Sequence, residues 1–208
     1  MNITRDEIIS RTQCCMEELP PVWEGSLTQN EGVTINRYID AKIGEILRII
    51  ALTAPPHLLW SEAYPNLPEP EKHQDGSGRI TLDTEILRPV SLLMEGWQRP
   101  VTEFITINDP RYELQFNPFT RGGSAKPMAI WGTDSTGKQV IDYYSLPASY
   151  KRHHILELTC IAPPDENATS YNLAPVIIDA LCYRCAAAVY DILGNHAMAE
   201  VMLTHTTL

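Results

Sequence analysis

The sequence predicts an α+β protein that is mainly helical, with a helical bundle core and a β-rich insertion. Near both ends of the chain, apolar residues recur at spacings of three and four, the period of a helix with one buried face. Between these regions the apolar period shortens toward two, which is typical of strands. We therefore expect one domain over residues 1–208, with a helical core at 1–60 and 170–208 and the insertion at 79–161.

The first helix is predicted over residues 4–19. Thr4 and Glu7 match a capping box, in which the threonine caps the helix and the glutamate reaches back to it. The Pro20–Pro21 pair ends the pattern, and a loop around Trp23 follows.

A second helix is predicted over residues 34–54, ended by Pro55–Pro56. Its apolar positions form one continuous stripe: Ile35, Tyr38, Ile39, Ile43, Ile46, Leu47 and Ile50. Prolines punctuate residues 57–78, so we expect an irregular crossing there, with a helical turn near Leu58–Ala63.

Short strands are predicted through the insertion, joined by turns rich in Gly, Pro, Asn and Asp. The candidates are Arg79–Leu82, Leu87–Trp97, Val101–Ile107, Glu113–Phe116, Ala129–Trp131, Gln139–Tyr144 and His154–Ile161. This spacing favours an antiparallel sheet or a small barrel.

The end of the chain predicts a helical hairpin. Pro175 suits the first turn of a helix over 173–193, and Gly194 suits the left-handed residue that ends one. Residues 196–202 form the returning helix. We expect the helices at 4–19, 34–54 and 173–193 to pack as one bundle.

Composition limits the possible functions. The chain has 208 residues, is 44% hydrophobic and carries a formal charge of −10. No basic stripe typical of nucleic-acid binding is visible. We expect no specific nucleic-acid binding, no secretory signal and no membrane span, hence a soluble intracellular protein.

No cofactor or metal site is expected. The five cysteines, Cys14, Cys15, Cys160, Cys182 and Cys185, are interpreted as reduced thiols. Cys182 and Cys185 are spaced C-x-x-C but fall on the apolar face of a helix and lack the second pair of a zinc ribbon. The neighbours His153 and His154 point to opposite faces of a strand and so rarely bind one ion.

The segment Arg121–Lys126 resembles a phosphate-binding loop only superficially, because the Walker spacing is absent. Arg121, Gly122, Gly123 and Lys126 are interpreted as a flexible, solvated hairpin tip. The alternative is a partner-contact loop that docks on an acidic surface. No catalytic motif occurs. The competing functions are an enzyme whose site is assembled from dispersed residues, for example Asp109, His153 or Glu157, and a binding module that uses the insertion.

Residues 172–202 carry a resemblance. This segment resembles the terminal helices of head-to-tail connector, or adaptor, proteins of tailed bacteriophages. The resemblance lies in a proline followed by IIDALCYRCAAAVY, then by L-G and a short helix with the sequence A-M-A-E. The TRDEI helix, the long second helix and the β insertion follow the same order. The stacked ring proteins of crAss-like phages are of similar size.

This resemblance implies a homo-oligomeric ring, commonly of twelve copies, in the neck of the virion. Such a protein is made in the host cytoplasm, contacts the portal and other neck or tail proteins, and lets DNA pass. It also implies a structural role with no enzymatic activity and no catalytic residues.

Overall fold

The computed structural model describes residues 1–17, 34–147, 149–150 and 152–206. The chain divides into two compact units. The helical unit comprises Met1–Trp60 and Pro164–Leu208, and the β unit comprises Ser61–Pro163.

In chain order the elements are β1 (Asn2–Thr4), α1 (Arg5–Glu17), α2 (Ile35–Thr53), a 3-10 turn (Pro56–Leu58), β2 (Glu62–Ala63), β3 (Glu71–Lys72), β4 (Gly78–Thr81), β5 (Arg88–Met94), a second 3-10 turn (Glu113–Phe116), β6 (Ala129–Thr133), β7 (Gln139–Tyr143), β8 (Ile155–Ile161), β9 (Ser170–Asn172), α3 (Pro175–Ile192) and α4 (His196–Thr204).

Local signals fix the ends of the helices. The Thr4 backbone N–H donates to Glu7 Oε2 at 2.8 Å, and the Glu7 N–H donates to Thr4 Oγ1 at 3.2 Å, which confirms the capping box. Pro175 is the first residue of α3. Gly194 has a φ of 78°, the left-handed conformation predicted for the residue that follows a helix.

The helical unit is organised around α3, which packs against α1, α2 and α4. Leu181 is fully buried. Ala186 and Ala187 pack against Ala199 and Met202 of α4, so small side chains let these two helices approach closely. A two-stranded antiparallel ribbon, β1 with β9, joins the two ends of the unit and places Ile3 opposite Tyr171.

The β unit holds two antiparallel sheets, with strand orders β2-β8-β5 and β3-β4-β7-β6. Their apolar faces share one core, to which Leu92, Met94, Ile141, Tyr143 and Leu158 contribute. The unit therefore has a hydrophobic core of its own.

The predicted fold class is wrong: the protein is a mixed α+β fold and not a mainly helical bundle. Helices account for 35% of the described residues and strands for 21%, in three antiparallel sheets. The physical reason is that the central segment buries its own core and that even the helical unit is closed by a strand ribbon.

Two predicted strands are also wrong. Val101–Ile107 forms only isolated bridges, Val101 with Leu92 and Ile105 with Ile130. Glu113–Phe116 forms a 3-10 turn. The segment predicted as an irregular crossing contains the short strands β2 and β3.

The predicted end of the first helix at residues 18–19, the Pro20–Pro21 stop and the loop around Trp23 lie outside the described residues. Among the helices that the structure describes, none is both long enough and apolar enough to cross a membrane.

Candidate functional site

Arg121, the leading predicted contact residue, already has an acidic partner within the chain. Its Nη1 lies 2.7 Å from Asp75 Oδ2, and its side chain is only 13% exposed. The hydrogen bond from Ser77, together with the Arg121 guanidinium, lowers the pKa of Asp75 to about 2. Arg121 therefore anchors the loop instead of presenting a free charge.

The other three predicted contact residues form a tight turn. The Lys126 N–H donates to the Gly123 carbonyl at 2.9 Å. Gly122 is closely packed, because a Cβ at this position would lie only 2.6 Å from the Lys126 carbonyl oxygen. The Gly122 N–H donates to Gln115 Oε1 at 3.2 Å. Lys126 is exposed, and no ion pair of its ammonium occurs within the described ranges.

The segment before this turn, residues 106–122, exposes several apolar side chains, and we call it the Phe119 loop. The side chain of Phe119 is 97% exposed. The other exposed apolar side chains of the loop are Ile107, Leu114 and Phe116. A fully exposed phenyl ring in such a group is typical of a protein-binding surface.

A dense set of hydrogen bonds holds this loop in shape. Gln115 is buried, and its Nε2 donates to the Arg111 carbonyl at 3.0 Å. Asn117 Oδ1 accepts the Phe119 N–H at 2.9 Å, and Thr120 Oγ1 donates to the Leu114 carbonyl at 2.8 Å. These bonds fix the backbone on both sides of Phe119.

Ion pairs strengthen the base of the loop. Arg111 Nη2 lies 2.6 Å from Glu103 Oε1 and 2.7 Å from Asp109 Oδ2. The hydrogen bonds from Arg111 lower the pKa of Asp109 to about 2. The loop therefore keeps these charges at any pH near neutrality.

Aromatic contacts support the loop from one side. Tyr112 and Phe116 meet edge to face at 5.0 Å between ring centroids, and Phe116 meets Tyr144 of the β unit at 5.9 Å. Such pairs are each worth about 0.5–1.5 kcal/mol beyond area burial. They connect the loop to Tyr144, the residue after β7, and no ring contact of Phe119 occurs among the described residues.

The helical unit carries a groove of about 430 Å³ between α2, α3 and α4. Its apolar lining is Ile46, Ile49, Ala187, Ala188, Ala199 and Leu203. Ile49 is 41% exposed and Leu203 is 48% exposed, so apolar surface in the groove faces solvent.

Charged side chains rim this groove. Lys42 pairs with Glu45 at 2.6 Å, and His196 Nδ1 lies 2.5 Å from Asp191 Oδ1. Arg184 also lines the groove, and its buried Nε has no hydrogen-bond partner among the described residues. The rim therefore holds one guanidinium without an ion pair among the described residues.

A second cavity in the helical unit, of about 490 Å³, is polar. Its dominant group is Arg5, whose Nε lies 2.7 Å from Asp40 Oδ1 and whose Nη1 donates to the Glu166 carbonyl at 2.6 Å. Asp40 neutralises Arg5, so the guanidinium on this lining already has a structural partner.

The residues considered for an enzyme are not brought together. Asp109 is bound by Arg111, His153 Nδ1 lies 2.6 Å from the buried Tyr143 hydroxyl, and Glu157 Oε1 accepts from Thr159. No hydrogen bond or ion pair joins any two of the three within the part of the chain that is described.

The cysteines of α3 are buried. Burial raises the pKa of the Cys182 thiol to about 11 and also raises that of Cys185. Thiols with raised pKa values are poor metal ligands and nucleophiles. Over the described ranges, no cluster of three or more His, Cys, Asp or Glu side chains is arranged to hold a metal ion.

No protein-family model matches the chain, and no curated protein matches it.

The sequence reasoning missed Phe119 because aromatic residues are usually assigned to a core. A signal was present: Phe119 lies in Asn117-Pro118-Phe119-Thr120, between turn-forming residues that keep it out of a strand. An aromatic residue at a turn is a candidate for exposure.

Proposed function

We propose that this protein is a structural virion protein of a tailed bacteriophage, a ring adaptor between the portal and the tail through which DNA passes. The proposal includes no enzymatic activity. The observation that carries it is the split architecture: two N-terminal and two C-terminal helices form one unit, and the chain between them forms a separate β unit. This matches the order of elements in the connector proteins that the sequence resembles.

The distribution of charge supports the same function. The helical unit carries 13 acidic and 6 basic residues, whereas the β unit carries 13 acidic and 10 basic residues. A passage for DNA must not bind the phosphates, since Lys and Arg contacts would hold the duplex through counterion release. An acidic helical surface suits the wall of such a passage.

Exposed apolar surface supports assembly. The Phe119 loop and the groove of the helical unit are two different apolar surfaces of the same chain. A ring needs a heterologous interface, in which one patch of each subunit meets a different patch of the next.

Electron microscopy and DNA binding test the proposal. The purified protein, alone or mixed with its portal protein, should give particles with rotational symmetry. It should not shift duplex DNA at physiological salt. A protein that stays monomeric and ignores the portal, or that binds DNA tightly and in a salt-sensitive way, would contradict the proposed function.

A further inference from the structure

The ring of Phe119 is 97% exposed and lacks an apolar environment among the described residues. A phenylalanine buries roughly 150–250 Å² in a contact, and exposed aromatic anchors on rigid supports commonly dominate interfaces. The hydrogen bonds of Gln115, Asn117 and Thr120 provide that support. The loop is therefore built to insert a side chain into a partner.

The groove of the helical unit has the properties of a receptor for such a side chain. Its volume of about 430 Å³ lies in the range of pockets that enclose small organic molecules, roughly 300–1,000 Å³. Ile49 and Leu203 offer apolar contacts on its two walls.

Each of the two surfaces keeps one cation and one anion without an ion pair among the described residues. In the groove, the pairs Lys42–Glu45 and His196–Asp191 leave Arg184 and Glu200 without an ion pair among the described residues.

In the Phe119 loop, Arg111 and Arg121 are paired, and the exposed Glu113 has no ion pair among the described residues. The exposed Lys126, four residues after the loop, likewise has none there. Each surface could therefore form two ion pairs with the other surface. Complementary charges around an apolar anchor set orientation and suppress wrong partners.

We propose that the Phe119 loop of one copy docks into the α2–α3–α4 groove of the next copy. This inference rests on the proposed ring function and assigns its subunit interface. Glu113 of the loop faces the Arg184 side of the groove, and Lys126 faces Glu200. Because the two surfaces differ, the contact is head-to-tail and repeats until the ring closes.

Two variants separate the two halves of the interface. Phe119→Asp removes the anchor and keeps the groove, and Ile49→Glu puts a carboxylate in the groove and keeps the anchor. Both positions are exposed, so the folds should remain intact by circular dichroism. Leu67→Asp in the β unit and Val176→Glu in the helical unit are matched controls, exposed by 45% and 41% and outside the groove and the loop.

The readout is mass by light scattering and particle shape by electron microscopy, with and without the portal protein. Each interface variant should fail to assemble, with the dissociation constant weakened by at least about 30-fold, while both controls assemble like the wild type. A mixture of the two variants should give a one-to-one heterodimer that grows no further, since it contains one intact anchor and one intact groove.

Assembly of either interface variant like the wild type, or a mixture that stays monomeric, would overturn the docking proposal while leaving a wild-type ring in place. A wild-type protein that forms no assembly under either condition would instead overturn the ring function itself.

Discussion

The helical unit and the β unit differ in how their structures are encoded. In the helical unit, several helix ends depend on nearby residues, such as Thr4 with Glu7 at the start of α1 or Gly194 after α3. In the β unit, short strands are held by distant partners, as when β2 pairs with β8. The comparison teaches that local signals define helices, while the β unit is defined by its shared core.

The largest expected effect is on the helical unit. Leu181→Asp places an unpaired carboxylate at a fully buried position where α3 meets its neighbours. The free energy of unfolding should fall by several kcal/mol because a buried charge without a partner is costly. Hydrogen exchange should show lost protection of α1, α2, α3 and α4 and retained protection of β4, β5, β7 and β8, since the β unit has its own core.

The matched control is Ile192→Asp on the same helix, where the side chain is 47% exposed and the change should be small. Loss of protection throughout the chain in Leu181→Asp would show that the units do not fold independently.

The β unit has its own sensitive position at Gly78. A Cβ there would collide with the Tyr143 hydroxyl and the Glu71 carbonyl, and forced overpacking costs about 1–3 kcal/mol. Gly78→Ala should lower the free energy of unfolding of the β unit by that amount and move the midpoint of its chemical unfolding to a lower denaturant concentration. Gly132→Ala in β6, with open space around it, should leave the midpoint unchanged; equal effects would contradict this packing.

A pH dependence should arise in the β unit from His153. The imidazole is buried against Tyr143, its Nε2 has no partner among the described residues, and Lys72 and His73 lie near it. Burial, helped by Coulombic repulsion from Lys72 and His73, lowers the pKa of His153 below its ordinary value of about 6.5. The free energy of unfolding therefore has its full value above a pH of about 6.5, and it decreases as the pH falls through the lowered pKa.

In this range the free energy of unfolding decreases by at most about 1.4 kcal/mol for each unit by which the pH falls. Thermal melts between pH 7.5 and pH 5 should show it in the wild type and show a flatter profile in His153→Gln. His154→Gln, which changes the exposed neighbour, should keep the wild-type profile. An unchanged profile in His153→Gln would rule out His153 as the source.

The smallest expected effect returns to the helical unit. Thr4→Ala removes one half of the capping box and should cost about 1 kcal/mol. Ser10→Ala, which removes only a hydroxyl bonded to the Asp6 carbonyl, should be close to neutral. Denaturant titration of both variants measures the difference, and equal stabilities would show that the cap contributes nothing.

Helix bounds were predictable because their determinants are local. Pro175 and Gly194 mark the ends of α3. The strand prediction failed at Glu113–Phe116 because the Asp109 and Tyr112 carbonyls accept i+3 hydrogen bonds that wind this segment into turns. Pairs such as Ile3 with Tyr171 join residues too far apart in sequence for periodicity to reveal.

The candidate surfaces were less predictable than the fold. Arg121 was recognised from its residue type, but its partner Asp75 lies 46 positions away, so its neutralisation was invisible. The groove of the helical unit combines residues of α2, α3 and α4. Such a surface exists only after packing, and no motif in any one helix indicates it.

The β1–β9 ribbon has a consequence for synthesis on the ribosome. Residues 1–60 emerge first, yet they share a unit with 164–208. At about 5–20 residues per second, the intervening hundred or so residues take roughly 5–20 s to appear. During that interval the apolar stripe of α2 has no α3 to cover it, while the β unit can already fold. The nascent chain is thus most prone to aggregation before its last helices are made, and chaperones that bind exposed apolar helices would act in that window.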